Sequence, residues 1–91
     1  MNDADDLEGF LFHVKPCKAL IYLDECEESY ASEVRKEIDA TYSHTVRILK
    51  NLEQLGLIEY LELDGRKKPC KLTGEGREVA ESLTNTMRTV E

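Results

Sequence analysis

The stretch ATYSHTVRILKNLEQLGLIEYLELDGRKKPCKLT, residues 40–73, contains in order the signals for a tight turn, a helix and a β-hairpin. Thr41 or Ser43 can cap a helix, because the side-chain oxygen of either residue accepts hydrogen bonds from the free N–H groups of the first turn. Gly56 is a typical stop at the carboxyl end of a helix. Together these signals predict a helix over residues 42–55.

Two faces of different character are expected for this helix. Val46, Leu49 and Leu52 recur every three residues, and this spacing predicts that they face the core. The opposite face carries polar and basic side chains and no carboxylate: Ser43, His44, Arg47 and Asn51, with Lys50 at its edge. One side of the helix is therefore predicted to pack, and the other side to present hydrogen-bonding groups.

A β-hairpin is predicted directly after the helix. Residues 57–63 largely alternate apolar and polar side chains and are rich in residues that favour strands. Asp64 and Gly65 form a strong turn signal, and residues 66–73 return as the second strand, with Pro69 at an edge or at the beginning. The tip of the hairpin carries the cations Arg66, Lys67 and Lys68.

The segment before residue 40 is predicted to be mostly helical. Residues 1–14 form a tail or arm, and residues 16–26 and 32–39 form helices, because their apolar residues recur at helical spacing. Residues 29–31 between the two helices are a connector or a short strand. A short helix, a tight turn and a longer helix with one polar face make a helix-turn-helix.

A last helix is predicted over residues 73–90, with Thr73 as its cap. Apolar residues recur on it every three or four positions, the pattern of a helix that packs on another helix. These residues are Val79, Leu83, Met87 and Val90. We expect them to form the interface of a homodimer; packing against the first helix of the same chain is the alternative.

The charge of the 91-residue chain is negative but uneven. Asp and Glu number 19 against 12 Lys and Arg, for a formal net charge of −7, a balance that normally argues against nucleic acid. Residues 41–52, however, hold Arg47 and Lys50 without an acidic residue, and residues 64–71 hold four cations against Asp64. If folding brings these two islands to one side, they make a surface that attracts phosphate.

Several classes of function are excluded. The chain has three cysteines, Cys17, Cys26 and Cys70, and no CxxC pair. An odd number without such a pair argues against a disulfide framework or a zinc ribbon. We expect small packed side chains, with redox or metal sensing as the alternative. No stretch of the sequence approaches the length of apolar residues that a membrane-spanning helix needs. The acidic residues at the start of the sequence do not form a secretory signal, so a cytoplasmic protein is expected. No phosphate loop or metal-spaced His/Cys cluster occurs, so no enzyme, cofactor, metal or membrane partner is expected.

The fold class expected is α+β, mostly α: a winged helix-turn-helix with a three-helix core, a two-stranded β-wing and a C-terminal helix. Residues 45–83, TVRILKNLEQLGLIEYLELDGRKKPCKLTGEGREVAESL, resemble the winged helix-turn-helix of MarR-type transcriptional regulators and their small archaeal relatives. The segment NLEQLGLI matches the end of the recognition helix, DGR the wing turn, and KLTGEGRE the family's LT-x-x-G segment. The expected domains are residues 1–14 (arm), 15–74 (winged helix-turn-helix) and 75–91 (dimerisation helix).

The resemblance implies a transcriptional regulator, by default a repressor, that binds a double-stranded DNA site as a homodimer. Residues 42–55 would lie in the major groove, and residues 64–68 on the flanking backbone or minor groove. Ser43, His44 and Arg47 match recognition-helix residues of the family, and Arg66 matches its wing arginine. The DNA-contacting set expected here is Thr41, Ser43, His44, Arg47, Lys50, Asn51, Arg66, Lys67 and Lys68.

Two features depart from the family's pattern. The chain is shorter than a full MarR regulator, so we expect the familiar effector pocket to be missing, and the effector stays unassigned. Ile48 stands where a polar or basic residue is common, which predicts a leaner base-reading surface. The alternative function is a winged helix that binds polypeptides instead of DNA, because a fold does not fix its function. The carboxylate-free helix face and the basic wing favour DNA.

Overall fold

The structure is a computed structural model that describes residues 13–62, 65 and 67–90. Its helices are α1 (Val14–Cys26), α2 (Ala31–Ile38), α3 (Tyr42–Gln54) and α4 (Gly74–Val90), and its strands are β1 (Glu28–Ser29), β2 (Ile58–Tyr60) and β3 (Cys70–Leu72). This order confirms the predicted winged helix-turn-helix. The arm predicted for residues 1–14 lies outside the described residues except at its end. No helix in the described part of the chain is long and apolar enough to cross a membrane.

Helices α1 and α2 begin slightly earlier than the sequence predicted, whereas α3 begins at the predicted residue and α4 begins one residue later than predicted. Helix α1 begins at Val14, which leaves Pro16 in the first turn, where a missing N–H costs no helical hydrogen bond. Helix α2 begins at Ala31, because the carboxylate of Glu33 accepts a hydrogen bond of 3.2 Å from the backbone N–H of Tyr30. This bond satisfies a backbone group that lies just outside the helix.

The sheet has three antiparallel strands in the order β1-β3-β2, where two were predicted. Strand β1 supplies the third, with Ser29 paired to Cys70. Ser29 is buried because its hydroxyl is satisfied on both sides: the Tyr22 hydroxyl donates to it at 3.2 Å, and it donates to the Glu33 carboxylate at 3.1 Å. A strand of two residues is too short to show alternation, so the sequence pattern could not distinguish it from a connector.

Strands β2 and β3 form the hairpin of the wing. Tyr60 pairs with Cys70, and the backbone N–H of Leu61 donates to the carbonyl of Pro69 at 2.8 Å. This register centres the connecting segment on Gly65, whose φ of 68° is left-handed and therefore favours glycine. Buried Pro69 directly precedes β3, as expected from its missing donor.

One apolar core is shared by the sheet and by all four helices, α1 to α4. Helix α4 packs along α1 and contributes Ala80, which is fully buried. The buried core residues are Ala19, Leu20, Leu23, Val34, Ile38, Ile48, Leu49, Leu52, Leu57, Ile58, Cys70, Leu72 and Ala80. Because the core is shared by all these elements, the angle of α3 relative to the wing is set by packing.

The LT-x-x-G segment locks the wing to α4. Thr73 caps α4 by accepting a hydrogen bond of 3.0 Å from the backbone N–H of Gly76, and its hydroxyl donates to the carbonyl of Gly56 at 2.7 Å. Its backbone N–H also donates to the carbonyl of Leu57 at 3.0 Å. A Cβ at Gly76 would overlap that carbonyl oxygen and lie 2.8 Å from its carbon. Only glycine therefore permits this approach without a backbone shift.

The predicted orientation of α3 was wrong at two residues. Ile48 is fully buried, although it was assigned to the base-reading surface, and Val46 is 37% exposed, although it was assigned to the core. The buried set is Thr45, Ile48, Leu49 and Leu52. Thr45 can occupy the core because its hydroxyl donates to the carbonyl of Thr41 at 2.9 Å, which satisfies a group that would otherwise be costly to bury.

Candidate nucleic-acid interface

The amino end of α3 is fixed by Thr41. The Thr41 hydroxyl accepts a hydrogen bond of 3.1 Å from the backbone N–H of His44, as the sequence predicted for one of two possible caps. A cap of this kind stabilises a helix by about 1 kcal/mol. The remaining N–H groups of the first turn and the helix dipole favour negative charge at this end. The amino end of α3 is therefore preorganised for a phosphate.

The outward face of α3 is basic and polar. Ser43, Arg47 and Lys50 point away from the buried residues and are exposed. His44, also exposed, and half-buried Asn51 lie along one flank of this face, and Tyr42 and Val46 along the other. The first acidic residue of the helix is Glu53, in its last turn. The first three turns therefore present cations and hydrogen-bonding groups without a competing carboxylate.

The two described cations of the wing lie over tyrosine rings. The Nζ atom of Lys67 is 5.5 Å from the centre of the Tyr30 ring, and that of Lys68 is 5.0 Å from the centre of the Tyr60 ring. Such contacts stabilise a cation by about 0.5–1 kcal/mol at an exposed site. Both lysines remain exposed. Arg66, the third predicted wing cation, lies outside the described residues.

Tyr60 connects the wing to α3. Burial raises the pKa of its hydroxyl to about 12, and the nearby Cys70, Glu53 and Tyr42 add to the rise. Two of these neighbours belong to α3, on the flank that carries Val46. Lys68, over the Tyr60 ring, therefore lies on the side of the wing that adjoins this flank of α3, whereas Lys67 lies over Tyr30, the residue that precedes α2.

Lys71 differs from the other lysines of the hairpin. Its ammonium group lies 3.6 Å from the carboxylate of Glu59, its partner in the β2–β3 register. This pair neutralises Lys71 within the sheet. Among the described lysines of the hairpin, Lys67 and Lys68 are therefore the ones available to an anionic partner.

A cavity of about 420 Å³ lies between the start of α1 and the His44 flank of α3. It brings the two histidines of the chain, His13 and His44, to one place, with Lys15 beside them. The Lys15 ammonium group donates to the carbonyl of Asp39 at 2.7 Å, which ties α1 to the turn before α3. Within the described residues no group of three or more His, Cys, Asp or Glu is placed to hold a metal ion.

The cysteines are packed thiols. Cys70 is buried, its thiol donates to the carbonyl of Ser29 at 3.4 Å, and burial raises its pKa to about 12. Cys17 and Cys26 are half-buried, and burial raises the pKa of each. Because the thiolate is the reactive form, these shifts disfavour chemistry at all three. The prediction of packed side chains is confirmed most clearly for Cys70.

The apolar stripe of α4 is partly covered by the chain itself. Val79 and Leu83 are half-buried and pack against the core, and both also line a shallow surface cavity with polar residues of α4. The helix continues through Met87 and Val90, whose side chains lie outside the description. The stripe therefore contributes to the fold of one chain and keeps an accessible edge.

Sequence reasoning missed four residues of this surface. Tyr30 and Tyr60 position wing lysines, and Tyr42 and Val46 form an apolar flank of α3. No sequence signal identified the Tyr60 contact, because Tyr60 lies diagonally opposite Lys68 only in the hairpin register that the structure shows. The spacing of Val46 from Leu49 and Leu52 predicted a buried side chain. Val46 is exposed because Thr45 is buried beside it in the sequence and turns the buried face of α3.

Comparison with known proteins places these observations in a family. The family model for the winged helix DNA-binding domain matches residues 17–90. A MarR family transcriptional regulator from Silicibacter pomeroyi is 25% identical, with 93% of this chain and 61% of that one covered and a TM-score of 0.78. MepR from Staphylococcus aureus, a transcription regulator of the multidrug efflux pump MepA, is 24% identical, with 94% and 65% covered and a TM-score of 0.79.

A MepR variant bound to an oligodeoxyribonucleotide is similar to the same degree, with 23% identity, 94% of this chain and 65% of that one covered, and a TM-score of 0.79. The chain thus spans less than two thirds of the length of each of these structures. Comparison with curated proteins finds no match. The family model covers most of the chain, and the fold is that of the MarR family structures: the chain belongs to the winged helix DNA-binding domain family.

Proposed function

We propose that the chain is a sequence-specific transcriptional regulator, by default a repressor, that binds double-stranded DNA with α3 in the major groove. The observation that carries this proposal is the outward face of α3. In a chain of net charge −7, the three exposed side chains at the centre of this face, Ser43, Arg47 and Lys50, include two cations, and no carboxylate lies among them. An α-helix fits the major groove, where base edges can be distinguished.

Each polar residue of α3 has a role that its position permits. Arg47, at the centre of the exposed face, is the candidate reader of guanine, since its fork of donors matches the two acceptors of that base. Lys50 and Asn51 follow along the groove. Thr41, Ser43 and His44 lie at the amino end of the helix, where the free N–H groups favour a phosphate.

The wing supplies contacts that do not depend on sequence. Lys67 and Lys68 are exposed and lie at the end of the hairpin, so they can reach the flanking backbone. Arg66 is assigned to the same role by its position in the sequence. Contacts to phosphate fix the register of a protein on the duplex without reading bases.

We also propose that the regulator is a homodimer, because helix-turn-helix proteins read two half-sites with two copies. Residues 75–91 would form the interface, with Val79 and Leu83 at the accessible edge of α4 and Met87 and Val90 one and two turns further along. Replacing Leu83 by Glu would place a charge at this seam, and sedimentation equilibrium is expected to show a monomer. A dimer of unchanged affinity would contradict the assignment.

The test of function is selection of bound duplexes from a random library by the full chain, beside the Arg47→Ala and Arg77→Ala variants. Arg77 is an exposed arginine of α4, 3.9 Å from Asp24, so its removal changes net charge equally but away from α3. We expect a motif for the wild-type and Arg77→Ala chains and a relaxed motif for Arg47→Ala. Failure of the wild-type chain to bind any duplex would reject the proposal and favour the polypeptide-binding alternative.

A further inference from the structure

The large apolar side chains exposed on the described surface are few, and two of them lie on α3. Tyr42 is 56% exposed and Val46 is 37% exposed. The two residues are four positions apart, so they lie one above the other on the same flank of the helix. They form an apolar strip beside the polar centre of the proposed DNA-reading face.

The strip lies in the part of α3 that is placed to meet base edges. Both residues belong to the first two turns of the helix, and a recognition helix contacts bases with its amino-terminal residues. Arg47 follows Val46 directly, and Lys50 lies one turn further along the same side. A partner held by these cations would therefore cover Val46.

The chemistry of Val46 restricts what it can recognise. Its side chain has no donor or acceptor, so it cannot read the hydrogen-bonding pattern of any base. In the major groove, thymine is the standard base that presents an apolar group, its 5-methyl group. Contact between the two buries apolar surface on both partners, and burial of one methyl group is worth about 0.8 kcal/mol.

The charge around the strip argues for DNA over a second protein as its partner. Ser43, Arg47 and Lys50 border Val46 on the side towards the centre of the face, and Lys68 lies over Tyr60 on the wing side. The nearest acidic residue of α3, Glu53, lies on the same flank, but two turns beyond Val46 and near the carboxyl end of the helix. An apolar strip between cations suits a methyl group that projects between phosphate backbones.

We propose that Val46 is a specificity-determining residue that packs against the 5-methyl group of a thymine in each half-site, with Tyr42 bounding the same apolar strip. This inference rests on the proposed function. It adds an apolar contact to the hydrogen bonds assigned to Arg47, and it assigns a role to a residue that the sequence placed in the core.

The experiment uses the duplex selected by the full chain and replaces each thymine in turn by deoxyuridine, which removes only the 5-methyl group. Binding is measured by fluorescence anisotropy for the wild-type, Val46→Ala and Val14→Ala chains. Val14 is a matched control, because it is 65% exposed and lies at the start of α1, beside the opposite flank of α3. Thermal unfolding of each variant shows that the fold is intact.

For the wild-type and Val14→Ala chains, we expect one thymine per half-site at which deoxyuridine weakens binding about fourfold. For Val46→Ala, binding to the thymine duplex is expected to be weaker, and deoxyuridine at that position to cause no further loss. Wild-type binding that is insensitive to deoxyuridine at every position would overturn the inference and leave the proposed function standing. A methyl effect that persists in Val46→Ala would assign the contact to another residue. Absence of duplex binding would reject both.

Discussion

Helix α3 and the wing present their cations in physically different ways. Helix α3 is fixed by three fully buried side chains, Ile48, Leu49 and Leu52, and by the Thr41 cap. The wing lysines are exposed and are oriented by tyrosine rings 5.0 and 5.5 Å away. A rigid element suits the reading of base edges, where a displacement of one ångström breaks a hydrogen bond. A long side chain over an exposed ring suits phosphates, whose spacing is the same for every sequence.

The difference predicts two classes of variant. Substitutions on the buried side of α3 reduce the stability of the whole fold, because the core is shared by all its elements. Substitutions of the exposed wing lysines leave stability almost unchanged and alter only affinity and its dependence on salt. The expected free-energy change is largest for the buried side of α3, smaller for the wing lysines and smallest for the ring beneath Lys68.

The largest effect is expected for Ile48→Ala. Removal of a fully buried isoleucine leaves a cavity, so the free energy of unfolding should fall by about 2–5 kcal/mol. Val46→Ala, the matched change two residues away on the exposed flank, should stay within about 0.5 kcal/mol of the wild type. Urea denaturation of both variants measures the two values. Equal losses would contradict the buried position of Ile48 and the exposed position of Val46 on α3.

A smaller effect, on affinity alone, is expected for the combined Lys67→Ala and Lys68→Ala substitutions. If each lysine contacts one phosphate, the slope of log K against log salt should become shallower by about 1.8 per protomer. The loss of affinity should be similar for the preferred duplex and for a random one, since phosphate contacts carry no sequence information. An unchanged salt slope would remove the wing from the interface. Lys18→Ala, which removes an exposed lysine of α1, provides the control.

The smallest effect is expected at Tyr60. Replacing Tyr60 by Leu removes the ring beneath Lys68, and affinity for duplex DNA should change by about 0.5–1 kcal/mol, the size of an exposed cation–π contact. Tyr60→Phe keeps a ring of similar shape and should behave like the wild type. Fluorescence anisotropy with one duplex at fixed salt resolves the difference. Equal affinities for the Leu and Phe variants would show that the ring does not position Lys68.

The sequence predicted the order of the elements because their boundaries carry local signals. Thr41, Gly56 and Thr73 act on their own neighbours in the chain, and the structure places each where the prediction did. Strand β1 was beyond such reasoning, since its two residues are held by a partner strand more than 40 residues away. Its identity depends on tertiary pairing and not on propensity.

Part of the candidate site was predictable for the same reason. The polar face of α3 follows from helical geometry, and Ser43, His44, Arg47 and Lys50 are exposed as expected. The spacing of apolar residues could not predict that Ile48 is buried and Val46 is exposed. Thr45, whose hydroxyl is satisfied by the carbonyl of Thr41, is buried with Ile48, and this turns the buried face of α3 away from Val46. The tyrosine–lysine contacts depend on the register of the hairpin, which the turn signal at Asp64 and Gly65 did not determine.

We propose that the outward face of α3 and the wing together form the DNA-binding surface. The most direct test of this proposal is an amide chemical-shift titration of the full ¹⁵N-labelled chain with a duplex selected from the library. The largest shifts are expected at Ser43, Arg47, Lys50 and Lys67, and small shifts along the exposed side of α4 at Glu78 and Glu81. Shifts concentrated on α4, with α3 unaffected, would contradict the proposal.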